Sequence, residues 1–78
     1  MEINAFIDNV ASQFDGADRL AFRADAEFRG IDGWSSLVAL SIIAMADEEY
    51  GVALRGDDIR SARTIQDLFD VVRAKRGE

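Results

Sequence analysis

The side chains able to do chemistry in this 78-residue chain are few in kind. The sequence contains no cysteine and no histidine, which excludes disulfides, thiolate nucleophiles, imidazole bases and the ordinary zinc and haem sites. Any catalysis would have to use carboxylates, hydroxyls or lysine. The most informative hydroxyls belong to two adjacent serines, Ser35 and Ser36, which directly precede a long apolar stretch.

Ser35 and Ser36 stand where a helix is predicted to begin, after the turn-forming residues 31–34. Free backbone amides and the helix dipole make a helix N-terminus favourable for anions, so a phosphodiester on a first-turn serine would be stabilised there. The residues alone leave a plainer interpretation open. In that interpretation Ser35 caps the helix and Ser36 is an ordinary residue of its first turn.

The charge of the chain is negative and unevenly distributed. Nine basic residues stand against 15 acidic ones, for a net charge of -6 at pH 7. This sign repels phosphate backbones and argues against nucleic acid binding. The run Asp47-Glu48-Glu49 has two interpretations, because it either attracts a basic partner surface or is a solvated acidic end of a helix.

The elements that would position these residues are predicted from periodicity and from capping residues. A second helix is expected from Ser35 to Tyr50, with Ser35 as its N-cap and Gly51 as its left-handed C-cap. It is apolar on most sides, so we expect it to be central to the fold. A first helix, ended by Asp15-Gly16, is predicted from apolar residues on one face: Ile3, Phe6, Ile7, Val10 and Phe14.

The segment 17–34 lacks sustained periodicity and is predicted to be a long loop that straps the core. We expect Leu20, Phe22 and Phe28 to anchor it. A short third helix is predicted over residues 57–62, where acidic residues favour the positive end of a helical turn. A small domain of this kind gains only about 3–5 kcal/mol from its core, which would allow the third helix to move.

The fourth helix is predicted to begin at Thr64, with Asp67 completing a capping box. Its core face is formed by Ile65, Leu68, Phe69 and Val72. The fold class expected from these elements is all-α. It is a four-helix bundle with three main helices, one short helix and a long loop between helices 1 and 2, in a single domain over residues 1–78.

The sequence predicts a soluble, cytoplasmic protein. No apolar run approaches the ~20 residues that span a bilayer. The first residues also carry Glu2 and Asp8, where a signal peptide would have positive charge. We expect the protein to be a monomer.

Three stretches together resemble the acyl carrier protein family, and the resemblance covers essentially the whole chain. They are Asp32-Gly33-Trp34-Ser35-Ser36-Leu37, Asp47-Glu48-Glu49-Tyr50-Gly51-Val52 and Thr64-Ile65-Gln66-Asp67-Leu68. The resemblance aligns Ser36 with the serine that carries 4'-phosphopantetheine. Ser35 occupies the position where the family usually has aspartate, which implies weaker electrostatic recognition by basic partners.

The resemblance implies a carrier that is a substrate of enzymes and is not itself an enzyme. A phosphopantetheinyl transferase would modify Ser36, and the thiol of the arm would hold acyl groups as thioesters for fatty acid, polyketide or related acyl-transfer enzymes. Basic docking surfaces of these enzymes would contact Leu37, Asp47 and Glu48. A cleft for the acyl chain would be lined by Leu40, Ile43, Val52, Leu54, Ile59 and Ala62, although each of these is also a plausible core residue.

Two other classes of function stay open at this point. The first is an unmodified acidic helical adaptor or regulatory module, in which Ser36 is idle. The second is an enzyme that uses the loop carboxylates Asp25, Glu27 and Asp32, which is disfavoured because a helical domain of 8.6 kDa offers little concave volume for a pocket. The basic residues Arg55, Arg60 and Arg63 are expected to pair with Asp57 and Asp58.

Overall fold

A computed structural model describes residues 1–78 as four helices with no β-strand beyond a single isolated bridge. The predicted all-α fold, with three main helices, one short helix and a long first loop, is confirmed. No helix combines the length and the apolarity that a membrane crossing requires. The helices are α1 (Ile3–Ala11), α2 (Ser36–Tyr50), α3 (Gly56–Ser61) and α4 (Ile65–Arg76), and the first loop contains two single 3-10 turns, Arg19–Ala21 and Phe28–Gly30.

Helix α1 is shorter than its apolar pattern suggests. Glu2 caps it, since its carboxylate accepts from the amides of Asn4 and Ala5, both at 2.9 Å. The helix ends at Ala11, where the Ser12 hydroxyl donates to a carbonyl of the last turn. Phe14 therefore lies beyond the helix, but a final turn still brings it into the core.

Helix α2 has the predicted caps, with Ser35 at its start and Gly51 at φ 65° in the left-handed region at its end. The expectation that this helix is central to the fold holds for one of its faces only. Its inner face is buried, but Leu37 is 74% exposed and Leu40 is 62% exposed. No other element covers this outer face, so its apolar residues meet solvent. The inner face consists of Val38, Ile42, Met45 and Ala46.

The long loop straps the core, as predicted, but through two of its three expected anchors. Phe22 and Phe28 are buried, and the ring of Phe22 packs edge-on against Phe14 at 4.9 Å. Leu20 is not an anchor, because it lies 82% exposed in the turn Arg19–Ala21. That turn is too short to bury both Leu20 and Phe22, and the larger aromatic side chain takes the inward position.

The loop and α4 are joined by hydrogen bonds. The amides of Ile65 and Gln66 donate to the carbonyls of Ala26 and Ala24, at 3.1 and 2.8 Å. The predicted capping box is confirmed: the Thr64 hydroxyl accepts from the Asp67 amide at 3.1 Å, and the Asp67 carboxylate accepts from the Thr64 amide at 3.1 Å. The start of α4 is therefore held both by carbonyls of the long loop and by its own capping box.

Helix α3 begins and ends one residue earlier than predicted. Its start is held by the Arg55 amide, which donates to Asp58 at 2.8 Å. Its end is held from the long loop, because the Arg29 guanidinium donates to the Ile59 carbonyl at 2.7 Å. Lys75 of α4 lies 3.3 Å from Asp58, and this ion pair is the third contact that holds α3.

Candidate functional site

The turn before α2 is built around a glycine and a tryptophan. Gly33 has φ 94°, which residues with a side chain rarely adopt. Trp34 is half-buried and packs on Phe28 at 5.3 Å and on Phe14 at 6.1 Å between ring centroids. The large aromatic side chain therefore fixes the position at which the chain enters α2, one residue before the two serines.

The two serines have different environments. Ser35 is extended, and its Oγ accepts a hydrogen bond from the Val38 amide at 3.3 Å, so its side chain is the N-cap of α2. Ser36 is the first residue of the helix, is exposed, and uses its hydroxyl in no hydrogen bond within the chain. The predicted cap at Ser35 is thus confirmed, and the free hydroxyl belongs to Ser36.

The first turn of α2 contains backbone amides without a hydrogen-bond acceptor. The amides of Ser36 and Leu37 donate to no group within the chain, and no acidic residue lies in this turn. Unpaired amides at a helix N-terminus carry partial positive charge. The surroundings of the Ser36 hydroxyl are therefore favourable for a negatively charged substituent.

The predicted partner-binding residues lie on one exposed side of α2. Leu37, Asp47 and Glu48 are all exposed. Together with Leu40 and Ala44 they recur at helical spacing, which aligns them along the axis from Ser36 to the C-terminal end. We call this set the outer face of α2. Neither Asp47 nor Glu48 belongs to any of the ion pairs of the chain.

The residues predicted to line an acyl cleft are divided between the core and the surface. The core contains Val52, Leu54, Ile59 and Ala62, while Ile43 is half-buried. Leu40 does not lie among them, because it belongs to the outer face of α2. In this conformation these residues line no open space, and the groove that the structure does contain lies between α1 and α2.

This groove includes residues that the sequence analysis did not single out. Asn9 comes from the last turn of α1, Ser12 and Gln13 directly follow this helix, and Ser41 comes from α2. Their polar side chains are unremarkable in type and spacing. Only the packing of α1 against α2 brings them together, so no pattern in the sequence indicates the groove.

Comparison with known proteins identifies one informative relative. No family model matches the chain, and no solved structure matches it. An acyl carrier protein of Solidesulfovibrio magneticus is 30% identical over 63 residues, which covers 81% of this chain and 81% of that protein. The chain belongs to the acyl carrier protein family. This membership indicates a carrier role rather than a catalytic one.

The charges around α3 pair differently from the expectation. Arg60 pairs with Asp57, as predicted, but Asp58 pairs with Lys75. Hydrogen bonding from the Arg55 amide is the main cause that lowers the pKa of Asp58. Arg63 lies 3.7 Å from Glu27 in the long loop, so it also contributes to joining the loop to the α3–α4 junction.

The loop carboxylates form no common centre. Asp25 lies 3.8 Å from Arg23, Glu27 pairs with Arg63, and Asp32 has no ion-pair partner. No group of three acidic residues is arranged to hold a metal ion.

Proposed function

We propose that this protein is modified on Ser36 by 4'-phosphopantetheine and carries acyl groups as thioesters on that arm. It would present them to enzymes of fatty acid, polyketide or related acyl-transfer pathways. The observation that carries the proposal is the difference between the two serines. The hydroxyl of Ser35 is engaged as a helix cap, whereas the hydroxyl of Ser36 is exposed and unengaged.

The modification would form a bond between Ser36 Oγ and the phosphorus of the pantetheine phosphate of coenzyme A. The pyrophosphate bond of coenzyme A breaks, adenosine 3',5'-bisphosphate leaves, and a base of the transferase takes the serine proton. The resulting phosphodiester is an anion beside the unpaired amides of Ser36 and Leu37, which favour negative charge. When bound, the group supplies the thiol that this cysteine-free chain lacks.

The partners implied are a phosphopantetheinyl transferase and the enzymes that load and unload the arm. We propose that they dock on the outer face of α2, contacting Leu37 near Ser36, and Asp47 and Glu48 at the far end. The exposed leucines favour an apolar contact at the centre of the interface. The unpaired carboxylates favour basic residues at one end of it.

We propose that the acyl chain enters beside α3, between Ile43, Val52, Leu54, Ile59 and Ala62. These residues are closely packed, so room for an acyl chain requires α3 to move. Only a few polar ties hold α3, of which the bond from Arg29 to the Ile59 carbonyl is the shortest. Release of this bond and of the ion pair between Asp58 and Lys75 of α4 would allow the helix to shift.

The decisive experiment is intact-mass spectrometry after incubation with coenzyme A and a broad-specificity phosphopantetheinyl transferase. The unaltered protein should gain the mass of one phosphopantetheine, and Ser36→Ala should gain none. Ser35→Thr is the matched control, because threonine retains a capping hydroxyl at that position. It should be modified like the unaltered protein.

The other outcomes are equally informative. Modification that survives Ser36→Ala and is lost in Ser35→Ala would move the attachment site to Ser35. No modification of any sample, including one with Ser35→Asp, would remove the carrier function and favour the unmodified acidic adaptor. Circular dichroism of each variant establishes that a failure to react is not a failure to fold.

A further inference from the structure

The end of α3 depends on one side chain of the long loop. The Ile59 carbonyl lies in the last turn of this helix, and no backbone amide donates to it. In a longer helix its partner would be the amide of Arg63, but that amide donates to the Asp67 carboxylate at 3.0 Å. The Arg29 guanidinium, at 2.7 Å, is therefore the only donor that the chain provides to this carbonyl.

The guanidinium of Arg29 has no negatively charged partner. Three of the nine basic side chains form no ion pair, namely Arg29, Arg55 and Arg73. Arg29 donates from Nη1 to Ile59, while its Nε and Nη2 donate to no group of the chain. An exposed cation that is bound only to a neutral carbonyl is available to a stronger acceptor.

Two aromatic contacts lead from Arg29 to the serines at the start of α2. The Arg29 guanidinium lies over the ring of Phe28, 5.1 Å from its centroid. Phe28 is fully buried, and its ring packs on Trp34 at 5.3 Å between centroids. Trp34 directly precedes Ser35 and Ser36. Because Arg29 itself is exposed, its side chain can turn toward the start of α2 without opening the core.

A phosphodiester on Ser36 would be the stronger acceptor. A hydrogen bond between a guanidinium and a phosphate is charged on both sides, and the planar guanidinium can donate to two phosphate oxygens at once. The Ile59 carbonyl offers only a neutral oxygen. No acidic residue lies in the first turn of α2, so no carboxylate there competes for the arginine.

We infer that Arg29 changes its acceptor when Ser36 is modified: its guanidinium leaves the Ile59 carbonyl and binds the phosphodiester. The inference rests on the proposed function, because that function supplies the phosphodiester. Of the polar contacts that hold α3, only those of Asp58 then remain. The helix therefore moves more easily, and space for an acyl chain beside it opens mainly in the protein that carries the arm.

The test places phosphoserine at position 36 during translation, which supplies the anion without a transferase and without the arm. Amide exchange is then followed by NMR. Phosphoserine should accelerate exchange over residues 57–62 by about tenfold and leave the amides of α1 unchanged. In Arg29→Gln, exchange over these residues is already fast, and phosphoserine should add less than about twofold.

A second measurement detects the contact itself. The 31P resonance of the phosphoserine is followed as a function of pH. An adjacent guanidinium favours the dianion, so the midpoint should lie at lower pH in the otherwise unaltered chain than in Arg29→Gln. This shift does not depend on the mobility of α3.

The matched control is Arg55→Gln. It removes an unpaired guanidinium next to α3 and leaves the bond from Arg29 to Ile59 in place. This variant should respond to phosphoserine like the unaltered chain in both measurements. Loss of the response in Arg55→Gln as well would replace the specific exchange of acceptors by a general effect of charge.

Two further results would overturn the inference. One is exchange over α3 that phosphoserine leaves unchanged. The other is an equal acceleration with and without Arg29, which would show that the effect does not pass through this side chain. Unchanged exchange in α1 shows in each sample that the fold is intact.

The two proposals fail separately, because phosphoserine is introduced without the transferase. A chain that gains phosphopantetheine on Ser36 but shows no response to phosphoserine loses this inference alone. A chain that responds through Arg29 but is never modified by the transferase retains the phosphate-sensitive contact and loses the carrier function.

Discussion

Two helices of this protein start in opposite ways. At the start of α4 every first-turn amide has an acceptor: Ile65 and Gln66 donate to loop carbonyls, and Asp67 donates to Thr64. At the start of α2 only the Val38 amide is bonded, by Ser35 at a longer 3.3 Å. The amides of Ser36 and Leu37 have no acceptor, and the adjacent leucine side chain is exposed.

The two helix starts therefore contribute to different properties: the start of α4 to stability, and the start of α2 to the proposed function. The start of α4 is where the long loop is joined to the rest of the chain, so its hydrogen bonds hold the fold together. The start of α2 is held by the packing of Trp34 and by one hydrogen bond from the Val38 amide to Ser35. The Ser36 hydroxyl and the amides of Ser36 and Leu37 stay free to meet other molecules. Substitutions at the two sites should therefore affect different measurements.

The largest effect is expected from Phe28→Ala. Phe28 is fully buried and anchors the loop that supplies carbonyls to the start of α4. Its removal should lower the free energy of unfolding by about 3–5 kcal/mol, measured by urea denaturation. Leu20→Ala in the same loop should change it by less than about 0.5 kcal/mol. Similar losses in both variants would show that Phe28 is not the anchor.

The two N-caps can be compared directly. Thr64→Ala removes half of a capping box, and the free energy of unfolding should fall by about 1–2 kcal/mol. Ser35→Ala removes a single longer bond and should cost about 0.5–1 kcal/mol. A larger loss of unfolding free energy for Ser35→Ala than for Thr64→Ala would show that the start of α2, and not that of α4, contributes more to stability.

Acid should weaken the start of α4 selectively. Hydrogen bonds from the amides of Arg63 and Thr64 lower the pKa of Asp67 below its ordinary value of 3.8. Its contribution to stability is therefore complete above about pH 4 and is lost as the pH falls through the lower, native pKa. In Asp67→Asn, the urea concentration at the midpoint of unfolding should therefore depend less on pH between about pH 4 and 2 than in the unaltered protein.

The control for acid is Asp47→Asn, because that carboxylate is exposed and makes no bond within the chain. Its urea midpoints should follow those of the unaltered protein. Some acid sensitivity should remain even in Asp67→Asn, since hydrogen bonding also lowers the pKa of Asp58 and of Glu78. A profile unchanged by Asp67→Asn would contradict the role of the capping box.

The hydrogen bond from Arg29 of the long loop to the Ile59 carbonyl should control how often α3 opens. Arg29→Gln removes a charged donor from the Ile59 carbonyl, so amide exchange over residues 57–62 should accelerate by about tenfold. The amides of α1 should not change. Arg23→Gln is the control, since Arg23 lies in the same loop but pairs with Asp25 of that loop, at 3.8 Å, and not with α3. Uniformly slow exchange over α3 in all variants would argue against a movable helix.

The smallest effect on stability is expected from Ser35→Asp, which adds a negative charge at the open start of α2. The free energy of unfolding should rise by about 0.3–1 kcal/mol through the helix dipole. Transferase modification of Ser36 should also become faster at low salt, with the difference shrinking at high salt. Ser35→Asn retains the cap without the charge, and an equal acceleration in that variant would remove the electrostatic explanation.

Much of the fold was predictable because its signals are local. Ser35, Gly51 and the pair Thr64 and Asp67 fix three helix ends through contacts within a few residues, and the apolar spacing specifies the inner faces. Where the exposure of a side chain was predicted wrongly, the packing of other segments decides it. Leu20 is exposed because Phe22 contacts Phe14, and Leu40 is exposed because no element covers that side of α2.

The candidate site divides in the same manner. Two adjacent serines before an apolar helix, with the motifs around them, were enough to single out Ser36. The sequence by itself determined the four helices, the caps of α2, the capping box of α4 and the absence of thiol and imidazole chemistry, since these depend on residue type and short-range geometry. The tertiary structure alone decided which leucines stay exposed, how Arg29 reaches α3 and that α1 and α2 enclose a polar groove, because each depends on packing between segments far apart in the chain.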